Sequence, residues 1–292
     1  MASPSSSPML PPELEREIFE RCALSWPTSV PKLMLVTKCV KEWVEPLLYR
    51  IIALAQYGPV TGIPCFTDDV ISTAIRQKPP TFFHGAVRHL MLITHDASDV
   101  DYETVLSVCG GLEDLWFLNL DNVEDAWIPL IECLPLRRLC APSGLCSMLS
   151  PASGVFSRLT HLYLRDQIQD AELSVAALIA LPTLSHLALD DHTFVHQCHK
   201  ILELPRPISV LIFMRYYPAD WEGQEVVARL AQDMRFVLMN LRNFAKDWQL
   251  GAQFGNDYWS AAETFIAKRR SREIDPATYF MIHDPDEDNT EA

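Results

Sequence analysis

The chain is poor in glycine, with 10 in 292 residues, and those few build no phosphate-cradling loop. No Gly-x-Ser-x-Gly elbow, Gly-rich nucleotide fingerprint or His-Glu-x-x-His pair occurs, so common signatures of hydrolases, nucleotide enzymes and zinc peptidases are missing. Positive charge is also scarce: 24 lysines and arginines stand against 38 aspartates and glutamates, a net charge of −14. Such a field repels a phosphate backbone, so no nucleic-acid partner is expected. The longest basic cluster, Lys268, Arg269, Arg270 and Arg272, falls at the end of a predicted helix, where cations complement the helix dipole. No uninterrupted apolar run reaches membrane-spanning length, and the opening MASPSSSPM has no basic segment followed by an apolar core. We expect a soluble chain with no membrane partner, in the cytoplasm or nucleus. The 8 cysteines include no Cys-x-x-Cys pair and read as reduced, mostly buried residues rather than a disulfide frame or zinc knuckle.

What the chain has is a period. Hydrophobic residues make up 49% of it, and in its middle a six-residue phrase recurs as VRHLML, LEDLWF, LRRLCA, LTHLYL, LSHLAL and ISVLIF. The copies begin at Val87, Leu112, Leu136, Leu159, Leu184 and Ile208, in steps of 25, 24, 23, 25 and 24 residues. Positions one, four and six are apolar in nearly every copy. This phrase and spacing resemble the leucine-rich repeat, in which each unit adds one strand to a parallel sheet and returns through a helix or irregular turn. The resemblance implies an α/β fold, a leucine-rich-repeat-like solenoid with a curved parallel sheet over residues 53–240. Chains of this kind usually present a surface instead of performing chemistry.

Helical periodicity between the phrases predicts segments from Asp69 to Arg76, Asp101 to Val108, Asp125 to Leu134 and Asp170 to Leu181. Beyond Ile208 the period degrades: a helix is expected from Gln224 to Gln232, a last strand from Phe236 to Met239, and a helix from about Asn256 to Arg270. The region 241–275 is read as a helical cap on the open end and 276–292 as an acidic, disordered tail.

The amino terminus differs. Residues 1–8 are Ser/Pro-rich and expected to be disordered. Leu14, Ile18, Phe19 and Cys22 then predict a helix from about 12 to 24, opened by Pro11 and Pro12, and Leu33, Val36, Val40 and Trp43 predict a second over Lys32 to Trp43. The stretch PPELEREIFE together with VKEWVEPLLYR resembles the F-box-like segment of fungal proteins that couple it to leucine-rich repeats, over residues 9–52. Its centre departs from the usual Leu-x-x-x-Asp-Leu, with Ser25 to Pro31 standing there instead. The resemblance implies a helical unit that docks a Skp-type adaptor of a cullin-RING ubiquitin ligase through Leu10, Pro11, Leu14, Ile18, Val36, Leu48 and Tyr49. It also implies repeats that hold a target protein, with no cofactor. The alternative is that these apolar residues only close the end of the solenoid.

Side chains alternate across a strand, so with positions four and six facing the core, three and five line the concave face. Position five is the apolar column Met91, Trp116, Cys140, Tyr163, Ala188 and Ile212; position three is the polar column His89, Asp114, Arg138, His161, His186 and Val210. At about 4.8 Å per strand, these ridges extend some 24 Å. Met91, Trp116, Arg138, Tyr163, His186 and Ile212 are therefore the expected target-binding residues, unless a loop or the carboxy-terminal arm folds over them.

One constellation could carry chemistry. His192, His196 and His199, with Cys198 adjacent, would share a helical face suited to zinc, but the segment is where a repeat helix is needed and no metal is expected. The function expected is a non-enzymatic recruiter of targets to a ubiquitin ligase. A repeat scaffold without a ligase, and more remotely a zinc-dependent enzyme, are the alternatives.

Overall fold

The computed structural model describes residues 10–54, 62–93, 101–118, 124–149, 153–165, 181–190, 195–203, 208–215 and 225–286. Three helices open it: α1 (Pro12–Ser25), the short α2 (Val30–Leu33) and α3 (Lys38–Leu48). The second long helix starts later than the expected Lys32, because the Thr37 hydroxyl accepts a hydrogen bond from Val40 N at 3.1 Å and caps α3. Ala23, Val30, Val40 and Val44 form a small core of this unit's own.

Each of the six phrases then gives one strand beginning at its third residue: β2 (His89–Ile93), β3 (Asp114–Leu118), β4 (Arg138–Pro142), β5 (His161–Arg165), β6 (His186–Leu189) and β7 (Val210–Met214). With β1 (Ile51–Leu54) before them and β8 (Phe236–Leu241) and β9 (Phe280–His283) after, they make one nine-stranded sheet in strict chain order. Neighbouring pairs are parallel throughout. The architecture is α/β. Register aligns like positions of successive copies, so His89, Asp114, Arg138, His161, His186 and Val210 lie side by side.

The fourth-position residues Leu90, Leu115, Leu139, Leu162, Leu187 and Leu211 are all buried, in one layer with the first- and sixth-position residues. Helices α4 (Asp68–Gln77), α5 (Pro80–Ala86), α6 (Tyr102–Val108), α7 (Trp127–Glu132), α8 (Ser143–Met148), α9 (Val195–Leu202) and α10 (Glu225–Leu230) contribute to that layer. Asp101 caps α6 by accepting from Thr104 N at 3.1 Å. Helix α5, which the periodicity did not indicate, opens on Pro79-Pro80, where the missing proline N–H costs nothing. The helix expected from Asp170 to Leu181 falls almost wholly outside the described residues.

The carboxy-terminal region departs most from expectation. It is two helices, α11 (Phe244–Phe254) and α12 (Tyr258–Ser271), lying on the opposite face of the sheet from α4–α10. The chain then returns as β9, within the segment expected to be a disordered tail. Gly255, at φ 81°, ends α11 in a left-handed turn. Asp257 and Ser260 satisfy each other's backbone amides to start α12. At Gly251 a Cβ would lie 2.5 Å from Asp257 Cβ, so the two helices approach closely only because that residue is glycine. On α11, Asp247 Oδ1 is 2.6 Å from His283 Nε2 on β9, while Trp248 packs against Trp116 on β3 at 6.2 Å between ring centres. A flat sheet would hold β3 and β9 about 29 Å apart. Adjacent residues of one helix reach both, so the sheet curls around α11.

Candidate functional site

Two surfaces were expected to carry function, and the structure treats them differently. On the amino-terminal unit, Leu14 and Ile18 lie one helical turn apart on α1, and Leu10 lies in the segment just before the helix starts. They are 47%, 48% and 50% exposed, and Val36, in the turn before α3, is 54% exposed. Pro11 is exposed beside them. The helix buries its other side: Ala23 lies inside the small core and Phe19 packs against it. Arg16–Glu20 and Arg21–Glu17, each 2.7 Å apart, are solvated pairs one turn apart that contribute little. Trp26 and Leu35, 65% and 86% exposed, extend the apolar surface of the unit.

Leu48 and Tyr49 are half-buried where the unit meets the main core. Leu48 packs on both the small core and the main one. The Tyr49 ring stacks on Phe66 and meets Phe82 and Phe83 edge-on, each at 5.5 Å between centres. These two residues fasten the helical unit to Phe66 and to α5, at the edge of the main core. An aromatic that anchors one element on another gains more from those contacts than from solvent exposure.

The concave column is covered. Met91, Trp116, Tyr163 and Ile212 are at most 3% exposed, packed with Trp248, Tyr258, Trp259 and Ile266 of α11 and α12. Trp116 alone meets the rings of Tyr163, Phe244, Trp248 and Tyr258 within 6.4 Å. Arg138 and His186 are spent on the same arm: Arg138 Nη1 bonds Asp257 Oδ2 at 2.6 Å, and His186 Nε2 lies 2.9 Å from Glu263 Oε1. All six expected target-binding residues therefore hold the carboxy-terminal arm. The physical reason is area, since an apolar ridge crossing six strands gains more from permanent cover than from waiting for a partner.

Burial shapes the charges beneath the arm. His161 and His186 stack at 4.1 Å, with the Trp259 ring edge-on to both. Burial pushes the His161 imidazole down to about 3, with His186 and Arg138 adding to the effect. His186 is lowered too, burial outweighing its bond to Glu263. Burial raises the Asp247 carboxyl even though His283 pulls it the other way.

Sequence reasoning missed three participants. Arg269, read with its basic neighbours as complementing a helix C-terminus, is 1% exposed, and its guanidinium donates to the carbonyls of Ala231, Met234, Phe236 and Pro276. Helix α11 lies inside the region read as a helical cap, but the sequence reading placed a helix only from about Asn256, although Phe244 and Trp248 lie at helical spacing. Strand β9 was missed although Tyr279-Phe280-Met281-Ile282 is a run of strand-forming residues; the surrounding acids hid it. Of the three histidines considered for zinc, His192 and the side chain of His196 lie outside the described residues. Among the described residues no group of three or more His, Cys, Asp or Glu gathers as a metal site, and no helix is long and apolar enough to cross a membrane. No family model, curated protein or solved structure shows a significant match to this chain.

Proposed function

We propose that the chain is a non-enzymatic recruiting subunit of a Skp-cullin-F-box ubiquitin ligase, working in the cytoplasm or nucleus. Its F-box-like amino-terminal unit docks a Skp-type adaptor, and a leucine-rich-repeat-like solenoid carries the target. The observation that supports this reading is the exposed stripe of Leu10, Leu14 and Ile18 on a helical unit whose own core is already closed. These side chains are already about half covered, so completing the burial of each in a partner contributes about 1 kcal/mol, and the stripe serves as the centre of a larger interface. The strictly sequential parallel sheet, one strand per copy of the phrase, supports the repeat half of the proposal.

The scaffold reading has an observation in its favour as well. Leu48 and Tyr49, which the F-box resemblance assigns to the adaptor, are used to hold the unit on the sheet, as an end cap would use them. Co-purification separates the two. A recombinant Skp-type adaptor expressed with this chain should elute with it as a 1:1 complex, whereas elution of the two as separate species would leave a scaffold without ligase association.

A further inference from the structure

The sheet ends at β9, and among the described residues no further strand pairs with its outer edge. Leu238 N donates to Tyr279 O at 2.8 Å and Arg242 N donates to His283 O at 3.0 Å. Residues along a parallel strand alternate in the direction of their backbone groups, so the N–H and C=O of Phe280 and Ile282 point away from β8. Their side chains are 40% and 52% exposed. A groove of about 500 Å³ runs beside this edge, walled by β9 on one side and by α12 and the end of α11 on the other. Its apolar lining includes Phe254, Phe265 and Met281, and Lys268 stands on the α12 wall.

We propose that this groove binds an extended peptide segment of the recruited protein, added to β9 as a tenth strand. Three features fit that occupant. The outward backbone groups of Phe280 and Ile282 are satisfied by a strand and not by a helix. The apolar lining accepts the side chains that alternate toward it. Lys268 supplies the charge: Asp257 on the same wall is already paired with Arg138, and the contact of Lys268 with Glu273, at 3.7 Å, is a solvated pair that a ligand carboxylate displaces at little cost. The preferred segment therefore alternates apolar residues and carries an aspartate or glutamate opposite Lys268. From Ala261 to Lys268 the helical wall is about 10 Å long, the span of three extended residues, so the recognised motif is short.

The proposal deepens the recruiting reading by giving the target a place to bind once the concave face is covered, and its test omits the adaptor, so that the two stand or fall separately. Random octapeptides displayed on phage are panned against the purified full chain. Enriched sequences should alternate apolar residues with at least one acid. A fluorescent synthetic copy should slow amide exchange at Phe280 and Ile282, and should bind at least tenfold more weakly when N-methylated at the residues that pair with β9 or when Lys268→Glu replaces the native chain. Absence of enrichment, exchange protection confined to other elements, or indifference to both changes overturns the proposal. So does sedimentation showing that two copies of the chain already pair through β9.

Discussion

Arg138 on β4 and Asp257 at the start of α12 are 119 residues apart in the chain and 2.6 Å apart in space. The pair ties the sheet to the arm that covers it, and Asp257 also caps α12. Replacing Asp257 by Ala removes the cap and strands the guanidinium, for an expected cost of about 3 kcal/mol. Arg138→Ala leaves a buried carboxylate still bonded to Ser260 N and should cost about 2 kcal/mol. Urea unfolding measures both; losses below about 0.5 kcal/mol for each would show that the arm is held without the pair.

Trp116→Ala and Tyr163→Ala should destabilise the fold, by about 3–5 kcal/mol for the tryptophan, because both rings are interior packing under the arm. Unchanged melting temperatures would mean the concave ridge is open in solution.

Leu14→Asp with Ile18→Asp places charge on a surface that the fold leaves exposed, so thermal unfolding should shift by less than about 1 kcal/mol while adaptor co-purification is lost. Retained co-purification would remove α1 from the interface. A collapsed melting temperature would show that the stripe is internal packing.

Leu162, in the middle strands of the stack, is 1% exposed in the main core. Leu162→Ala should cost roughly 2–5 kcal/mol in urea unfolding. A smaller loss would contradict the phase of the repeat, since a one-residue slip moves every column to the other face.

The histidine pair makes stability depend on pH. His161 titrates near 3 when folded against 6.5 when exposed, so between those values the unfolded chain binds the extra proton and acid favours unfolding. Its contribution is fully present above about 6.5 and is lost as the pH falls toward 3, at up to about 1.4 kcal/mol per pH unit. His186, lowered for the same main reason, adds in the same sense. His161→Asn should flatten the urea-derived stability profile across that window. A variant profile parallel to the native one would place the acid sensitivity in other groups.

The repeat is legible in the amino acids alone: positions one, four and six of every phrase, the strand they form and the direction each side chain faces follow from a period of two inside a period near 24. The shared face of Leu14 and Ile18 on α1 is legible for the same reason, since residues four apart lie on one side of a helix, but that this face stays exposed is not. What the two faces of the sheet do depends on how distant parts of the chain come together. Met91, Trp116, Tyr163 and Ile212 carry the same local signal whether a partner or the chain's own arm covers them, and nothing within one repeat distinguishes the cases. The choice rests on contacts such as Arg138 with Asp257 and His186 with Glu263, between residues 119 and 77 positions apart. Arg269 shows the limit most plainly. Its neighbours Lys268 and Arg270 make a solvated cluster by composition, yet one helical position turns its guanidinium inward onto four carbonyl groups that come together only when β8, the turn at Pro276 and α12 are assembled.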